Sequence, residues 1–449
     1  MRIRTRTAVA LTGALALSLV TGCAQGGAAG AGANTVTYWL WDSNQLPAYQ
    51  ACAKDFEKQN PGLDVKITQM GWADYWTKLT ASFIAGTEPD VFTDHIQKFG
   101  QFADLNVLEP LDDLGIDESA YQPGLAANWT GRNGHRYGAP KDWDTVALFY
   151  NKKLTEKAGL AAREMGDLSW NPEDGGTFEK AIAHLTVDKN GKRGDEKGFD
   201  RNNVEVYGLA TGGAGDSDGQ TTWSPFAASA GWNYTDKARW GTEYQYDSKT
   251  FQKVVDWYFG LAKKGYLAPF TDYTDGANPA NAQVASGRAA TAFDGAWMIS
   301  TYYGTKGLDV GTAVTPAGPT GKRATMMNGL ADSITRNAHN MAGAKKWVRY
   351  LSSDECQRTV GGYGIVFPAT PGGTEAAVAA YKKKDIDVSA FTGPVADKKD
   401  FTTFSFPVTD YAADVYALMR PAMQDVFANN APVKGLTKTN DQINFILGQ

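Results

Sequence analysis

Three β-patterned runs separated by amphipathic helical runs open the folded body of this chain, and that cadence leaves few architectures open. Thr35-Val36-Thr37-Tyr38-Trp39-Leu40-Trp41 alternates and is β-branched, so it reads as a strand. Leu46 to Gln59 follows with Tyr49, Cys52 and Phe56 at helical spacing, and Asn60-Pro61-Gly62 ends it. Asp64 to Met70 is a second strand and Asp74 to Ala85 a second helix, closed by Gly86. Pro89 to Thr93 is a third strand, followed by a short helix over Lys98 to Leu105. Strands alternating with helices predict an α/β fold with a mostly parallel sheet. In such sheets ligands lie at the carboxyl ends of strands, which here carry Trp41-Asp42, Gly71-Trp72 and Asp94-His95.

The 449 residues exceed what one compact core usually holds, so two lobes are expected. The first residues stand apart from both. Arg2, Arg4 and Arg6 precede a small and apolar run, Ala8 to Val20, which is too short to span a bilayer and has the shape of a secretory signal. Its ending, Val20-Thr21-Gly22-Cys23, resembles the lipobox of bacterial lipoproteins. That resemblance implies cleavage after residue 22, a fatty-acyl (palmitate) anchor on Cys23 and a place on the outer face of the cytoplasmic membrane. Residues 23–34 have no side chain suited to a core and read as a flexible Gly/Ala tether.

The net charge of −5 and the lack of a basic stripe exclude a nucleic-acid partner. Zinc-protease and serine-hydrolase motifs are missing, so neither catalysis nor a cofactor or metal is expected. Asp188 to Asp200 echoes the start of a calcium loop, but Lys192 and Phe199 stand where ligands are needed, and a solvated loop is the better reading. Cys52 and Cys356 remain in an oxidising location, where a disulfide and two buried thiols are both open.

Several segments then fall into a recognisable order. The strand–helix–NPG–strand opening is followed by AGTEPDVF, YGAPKDWDTVALFYNKKLTEKAGL, ASGRAATAFDGAWMIS, NGLADSITRNAHNMAGAKKWVRYLSSDECQ and GYGIVFPA. From Val36 to about Ala369 this order resembles the family 1 extracellular solute-binding proteins, the maltose-binding type of ABC-importer receptor. The resemblance implies a two-lobe periplasmic-binding fold that closes about hinge crossovers. It divides the body into lobe one at 35–143, lobe two at 144–325, a return to lobe one at 326–368 and a C-terminal part at 369–449 on lobe two. It also places Cys52 and Cys356 in one lobe, which favours the disulfide.

A sugar needs flat aromatic faces for its C–H surfaces and carboxylates or amides for its hydroxyls. Trp41 and Asp42 end the first strand, and Asp94 and Gln97 follow the third. Lys141-Asp142-Trp143-Asp144 is the densest cluster, at the first crossover, and the resemblance makes Asp144 an acidic ligand contact and Asp94 another. Gly212 to Gln220 resembles a cleft-lining loop, and Trp223 and Trp232 follow it. Trp297, after Asp294-Gly295, matches the family's stacking Trp, while Asn328 and Tyr363 on the returning segments complete the expected cleft. The expectation is a monomeric, membrane-tethered carbohydrate receptor that hands its ligand to ABC permease subunits. The alternatives are an exported glycoside hydrolase, or the same fold holding a non-sugar solute such as a polyamine.

Overall fold

The computed structural model describes residues 32–212, 218–270 and 279–449. The leader, Cys23 and most of the tether lie outside these residues, as does part of the 212–220 loop. None of the described helices is long and apolar enough to cross a membrane.

Among the described residues eleven strands join one sheet: β1 (Thr35–Leu40), β2 (Asp64–Gln69), β3 (Val91–His95), β4 (Ala139–Asn151), β5 (Val187–Asp188), β6 (Val204–Leu209), β7 (Ala289–Gly295), β8 (Val310–Ala313), β9 (Arg323–Ile334), β10 (Phe367–Pro368) and β11 (Phe401–Phe404). The order is β2-β1-β3-β9-β4-β7-β6-β5, with β8 and β10 on β4 and β11 on β9. The expected opening is present, with β1 parallel to both β2 and β3. The intervening helices are Leu46–Gln59, started by a proline in its first turn, and Trp72–Ala85, stopped by Gly86 at φ +64°. The third strand runs two residues further than its sequence pattern suggests, so Asp94 and His95 belong to it.

The two longest strands make the fold bipartite. Residues 139–145 of β4 pair with β9, and 146–151 pair with β7 and β8. In β9, residues 323–326 pair with β11, while 327–334 pair with β4 and β3. Each strand thus leaves one lobe's sheet and enters the other's near Thr145 and Met327, and a seam runs where the two half-sheets meet. A register shift between Pro140 and Asp142 bends β4 just before that seam.

Lobe one has a core of Tyr38, Tyr49, Phe56 and Trp347, and within it Cys52 and Cys356 are joined. Their Cα atoms are 5.5 Å apart, inside the range a disulfide spans, and the bridge ties helix Leu46–Gln59 to helix Asp354–Gly362. The C-terminal segment, expected on lobe two throughout, touches both lobes. Helix Pro371–Lys383 packs on helix Asp354–Gly362 because Gly361 and Gly373 let the backbones approach. Helix Ala412–Asn429 lies against helix Ile96–Asp104, where a Cβ on Gly100 would strike the Thr409 carbonyl. Helix Leu436–Leu447 belongs to lobe two, where Asn440 and Asn444 accept the backbone N–H groups of Tyr246 and Tyr244.

In the charged 188–200 loop, the Asp188 carboxylate accepts the backbone N–H groups of Asn190, Lys192 and Asp200. Those donors hold its carboxyl below the usual range, and the loop is folded around this one side chain.

Candidate ligand-binding site

Strand pairing brings one set of polar side chains together at the seam. Directly paired residues and residues two apart share a face of a sheet. His95 pairs with Leu330, Asn328 pairs with Asp144, and Asp142 lies two residues before Asp144. His95, Asn328, Asp142 and Asp144 therefore share one face across β3, β9 and β4. Alternation sends Trp143 to the other face, where it stacks on Phe367 at 4.9 Å and donates to Thr374 Oγ1. The same rule turns Asp94 away from His95. It is wholly buried, takes the His95 N–H at 2.8 Å, and burial pushes its carboxyl well above the usual range.

The imidazole of His95 orients its neighbours. Its Nδ1 accepts the Gln97 N–H at the start of helix Ile96–Asp104, and its Nε2 lies 3.0 Å from the Asn328 side-chain amide. Burial holds the ring neutral, with a pKa of about 3, so only one of its two nitrogens carries a proton. The Asn328 side-chain oxygen, Oδ1, is left without a partner.

Three carboxyls gather around one ammonium here, with a fourth, Asp144, next to Asp142. Lys141, 1 % exposed, donates to Tyr38 Oη at 2.7 Å and Thr93 Oγ1 at 3.0 Å, lies 4.0 Å from Asp332 and sits 3.6 Å over the Tyr49 ring. Asp42, Asp142 and Asp332 all feel its charge. Asp142 is 2 % exposed and neither of its oxygens makes a well-formed hydrogen bond; burial and the acids beside it lift its pKa to about 7, against the opposing pull of the Lys141 charge and the nearby Leu330 N–H. Asp144 is 8 % exposed, its Oδ1 is unpaired, and burial with the Asp142 charge raises its carboxyl well above normal. Asp42 is partly exposed, accepts the Asn44 N–H, and is also raised by burial.

Beside this row stands an aromatic wall on lobe one. Trp41 packs edge-on against Trp72 at 5.0 Å and Tyr75 at 5.1 Å, and lies 5.3 Å from Trp76 and 6.3 Å from His95. Trp72 is 45 % exposed. It stands at the carboxyl end of β2, a position the strand pattern marks, yet residue type alone does not separate it from a core Trp. On lobe two Trp297 is partly buried, and its ring folds back across Gly295, where a Cβ would overlap it. Ser300, in the helix after it, donates to the Gly364 carbonyl, which brings the 38 % exposed Tyr363 alongside that segment.

The other expected site aromatics are core residues. Trp223 is 0 % exposed and packs edge-on against Phe251 at 5.1 Å. Trp232 stacks on Phe251 at 4.7 Å and donates to the Gln245 carbonyl. Both belong to a nest with Tyr234 and Tyr246 that fills lobe two. Asp294 is buried too, accepts the Gly295 N–H and the Tyr302 hydroxyl, and holds the turn before Trp297.

The lobes touch across the seam's open side. Gln97 donates to Asp218 at the end of the 212–220 loop, and with Tyr234, Phe406 and Tyr416 these two line a cavity of about 40 Å³. That is room for a few waters. The Trp240 indole N–H donates to the Thr130 carbonyl at 3.0 Å, Arg132 pairs with Asp410, and the Tyr411 N–H donates to Asp104. Trp240 and Tyr411 hold left-handed backbone at φ +51° and +54°, a strained geometry that the facing lobe's partners support.

The family model for bacterial extracellular solute-binding protein matches residues 41–358. A maltotriose-binding protein of Pyrococcus abyssi is 26 % identical over 64 % of this chain, and the match takes in 54 % of its own length. A maltodextrin-binding protein of Bacillus subtilis is 23 % identical over 87 % of this chain and 84 % of its own. Among solved structures, an ABC substrate-binding protein of Listeria monocytogenes in complex with cycloalternan superposes with a TM-score of 0.75 at 19 % identity. It covers 92 % of this chain and 99 % of the other.

Proposed function

The chain belongs to the bacterial extracellular solute-binding proteins, receptors rather than enzymes that work outside the cytoplasm, and on that premise we propose that it captures a mono- or oligosaccharide between its lobes for an ABC importer. The observation that carries the reading is the pairing, at one seam, of exposed aromatic faces with buried carboxylate and amide groups that lack partners. Trp41, Trp72 and Trp297 offer the faces, with Tyr363 at the edge. Asp42, Asp142, Asp144 and Asn328 accept or donate to hydroxyls, and Gln97 closes over the bound solute. The sugar-binding relatives support this choice of ligand.

Delivery needs a permease and a place beside it. The lipobox-like ending at Cys23 and the tether after it support a lipid-anchored monomer that swings near membrane partners. A thermal-shift screen against mono- and oligosaccharides, followed by calorimetry, tests the ligand class, since binding to the native state raises the midpoint. A flat response to every saccharide refutes it. Cys23→Ala tests the anchor and should move the protein from the membrane to the soluble fraction.

A further inference from the structure

Carboxyl groups outnumber cations at the seam, and the surplus has no partner. Asp42, Asp142 and Asp332 lie around the ammonium of Lys141, and Asp144 stands next to Asp142. That ammonium is engaged by Tyr38, Thr93 and Asp332. No basic group contributes to the surroundings of Asp144, and His95 stays neutral. The hydroxyls of Tyr49 and Tyr381, which feel the charges of these acids, do not reach them. Three carboxylate oxygens, both of Asp142 and one of Asp144, are buried without a hydrogen bond, as is one end of the Asn328 amide paired across from Asp144.

We propose that the sugar this receptor takes carries a protonated amine, which the Asp142–Asp144 pair binds while the free Asn328 amide end meets a neighbouring hydroxyl. This rests on the saccharide reading above and names the ligand within it. A buried carboxylate without a partner either keeps a proton or gains a cation. A hydroxyl supplies one donor hydrogen, brings two lone pairs of its own and leaves the charge uncompensated. An ammonium supplies three donors, no lone pair and the missing charge. The tryptophan faces of Trp41 and Trp72 nearby add to the preference, because a ring face attracts a cation.

Burial favours protonated carboxyls here, so binding an ammonium must displace protons from the Asp142–Asp144 pair. That gives a readout independent of affinity. Titration calorimetry at pH 6.5 would compare glucosamine with glucose, galactosamine with galactose, and fully deacetylated chitobiose with cellobiose and diacetylchitobiose. Each would be run in two buffers of different ionisation enthalpy. At least one amino member should bind tenfold or more tighter than its hydroxyl and N-acetyl counterparts and release protons to the buffer. The Asp142→Asn/Asp144→Asn double variant should bind the matched pair equally, with a melting point no lower than the parent's. A hydroxyl or N-acetyl sugar that binds as tightly as its amine, or an amine that binds without proton release, overturns the proposal and leaves the saccharide reading standing. Binding of maltooligosaccharides with no response to any amino sugar does the same. Binding of spermidine alone, with no saccharide, overturns both.

Discussion

Gly295→Ala is expected to weaken sugar binding strongly by displacing Trp297, although residue 295 itself need not meet the ligand. The Trp297 ring lies over the bare Cα of Gly295, and a methyl group there would overlap the six-membered ring. The backbone at Gly295 has φ −89° and ψ 165°, which alanine adopts freely, so the substitution acts through that overlap alone. Core overpacking costs about 1–3 kcal/mol. Trp297 is only partly buried and can swing outward, so the cost to stability falls at the low end, near 1 kcal/mol. The cost to binding is larger. If Trp297 is the stacking platform, losing its position costs about 2–4 kcal/mol, roughly 30- to 1,000-fold in Kd. Calorimetry with the sugar found by screening, beside a melting curve, separates the two effects. Trp297→Ala should show the same loss. The double variant Gly295→Ala/Trp297→Ala should bind no worse than Trp297→Ala alone, because the added methyl then has nothing to strike. Parent-like affinity in Gly295→Ala, or additive losses in the double variant, would refute the reasoning.

Three further outcomes follow from other parts of the molecule. The Cys52–Cys356 bridge closes a separation of 304 residues, which the loop-entropy model values at about 6 kcal/mol, so Cys52→Ala/Cys356→Ala should melt far lower while keeping its affinity; an unchanged midpoint with and without reductant counts against the bridge. Lys141→Met removes the ammonium beside buried Asp332 and should cost about 3–5 kcal/mol in urea unfolding, with part recovered in Lys141→Met/Asp332→Asn; equal losses in the single and double variants would show that the pair is not the cause. Asp104, where lobe one meets Tyr411 and Asp410, is raised to about 6, first by burial and then by the Asp410 charge. A carboxyl raised on closure stabilises the closed form below its free value of about 3.9, and that contribution is lost as pH rises through 6. Scattering should therefore show a more compact protein at pH 4.5 than at pH 7.5, and Asp104→Asn should flatten that change in part, since Asp142 at the seam, near 7, shifts in the same sense.

What the sequence shows and what it conceals divide along a physical line. Period and punctuation are local, so the β1–β3 cadence and the helix Leu46–Gln59 are legible to within a few residues. Long-range partners are not. Nothing in Trp223 or Trp232 distinguishes a core ring from a stacking platform, because both environments reward the same apolar area; only the nest around Phe251 decides. Yet one distinction was available. In Lys141-Asp142-Trp143-Asp144 a strand's alternation places Asp142 with Asp144 and sends Trp143 away, so the run read as a strand yields an acid pair rather than a mixed triad. The same logic picks Trp72 from the end of β2 only once the sheet order is known. The cross-lobe contacts of Gln97 with Asp218 and of Trp240 with Thr130 join residues more than 100 positions apart and carry no local signature. The residues hardest to read are also those that oppose folding. Buried, unpaired carboxyls at 142 and 144 and left-handed backbone at 240 and 411 each cost stability. Local rules describe what a chain does to fold well, so a site built from departures from them shows itself only when the partners' absence can be measured.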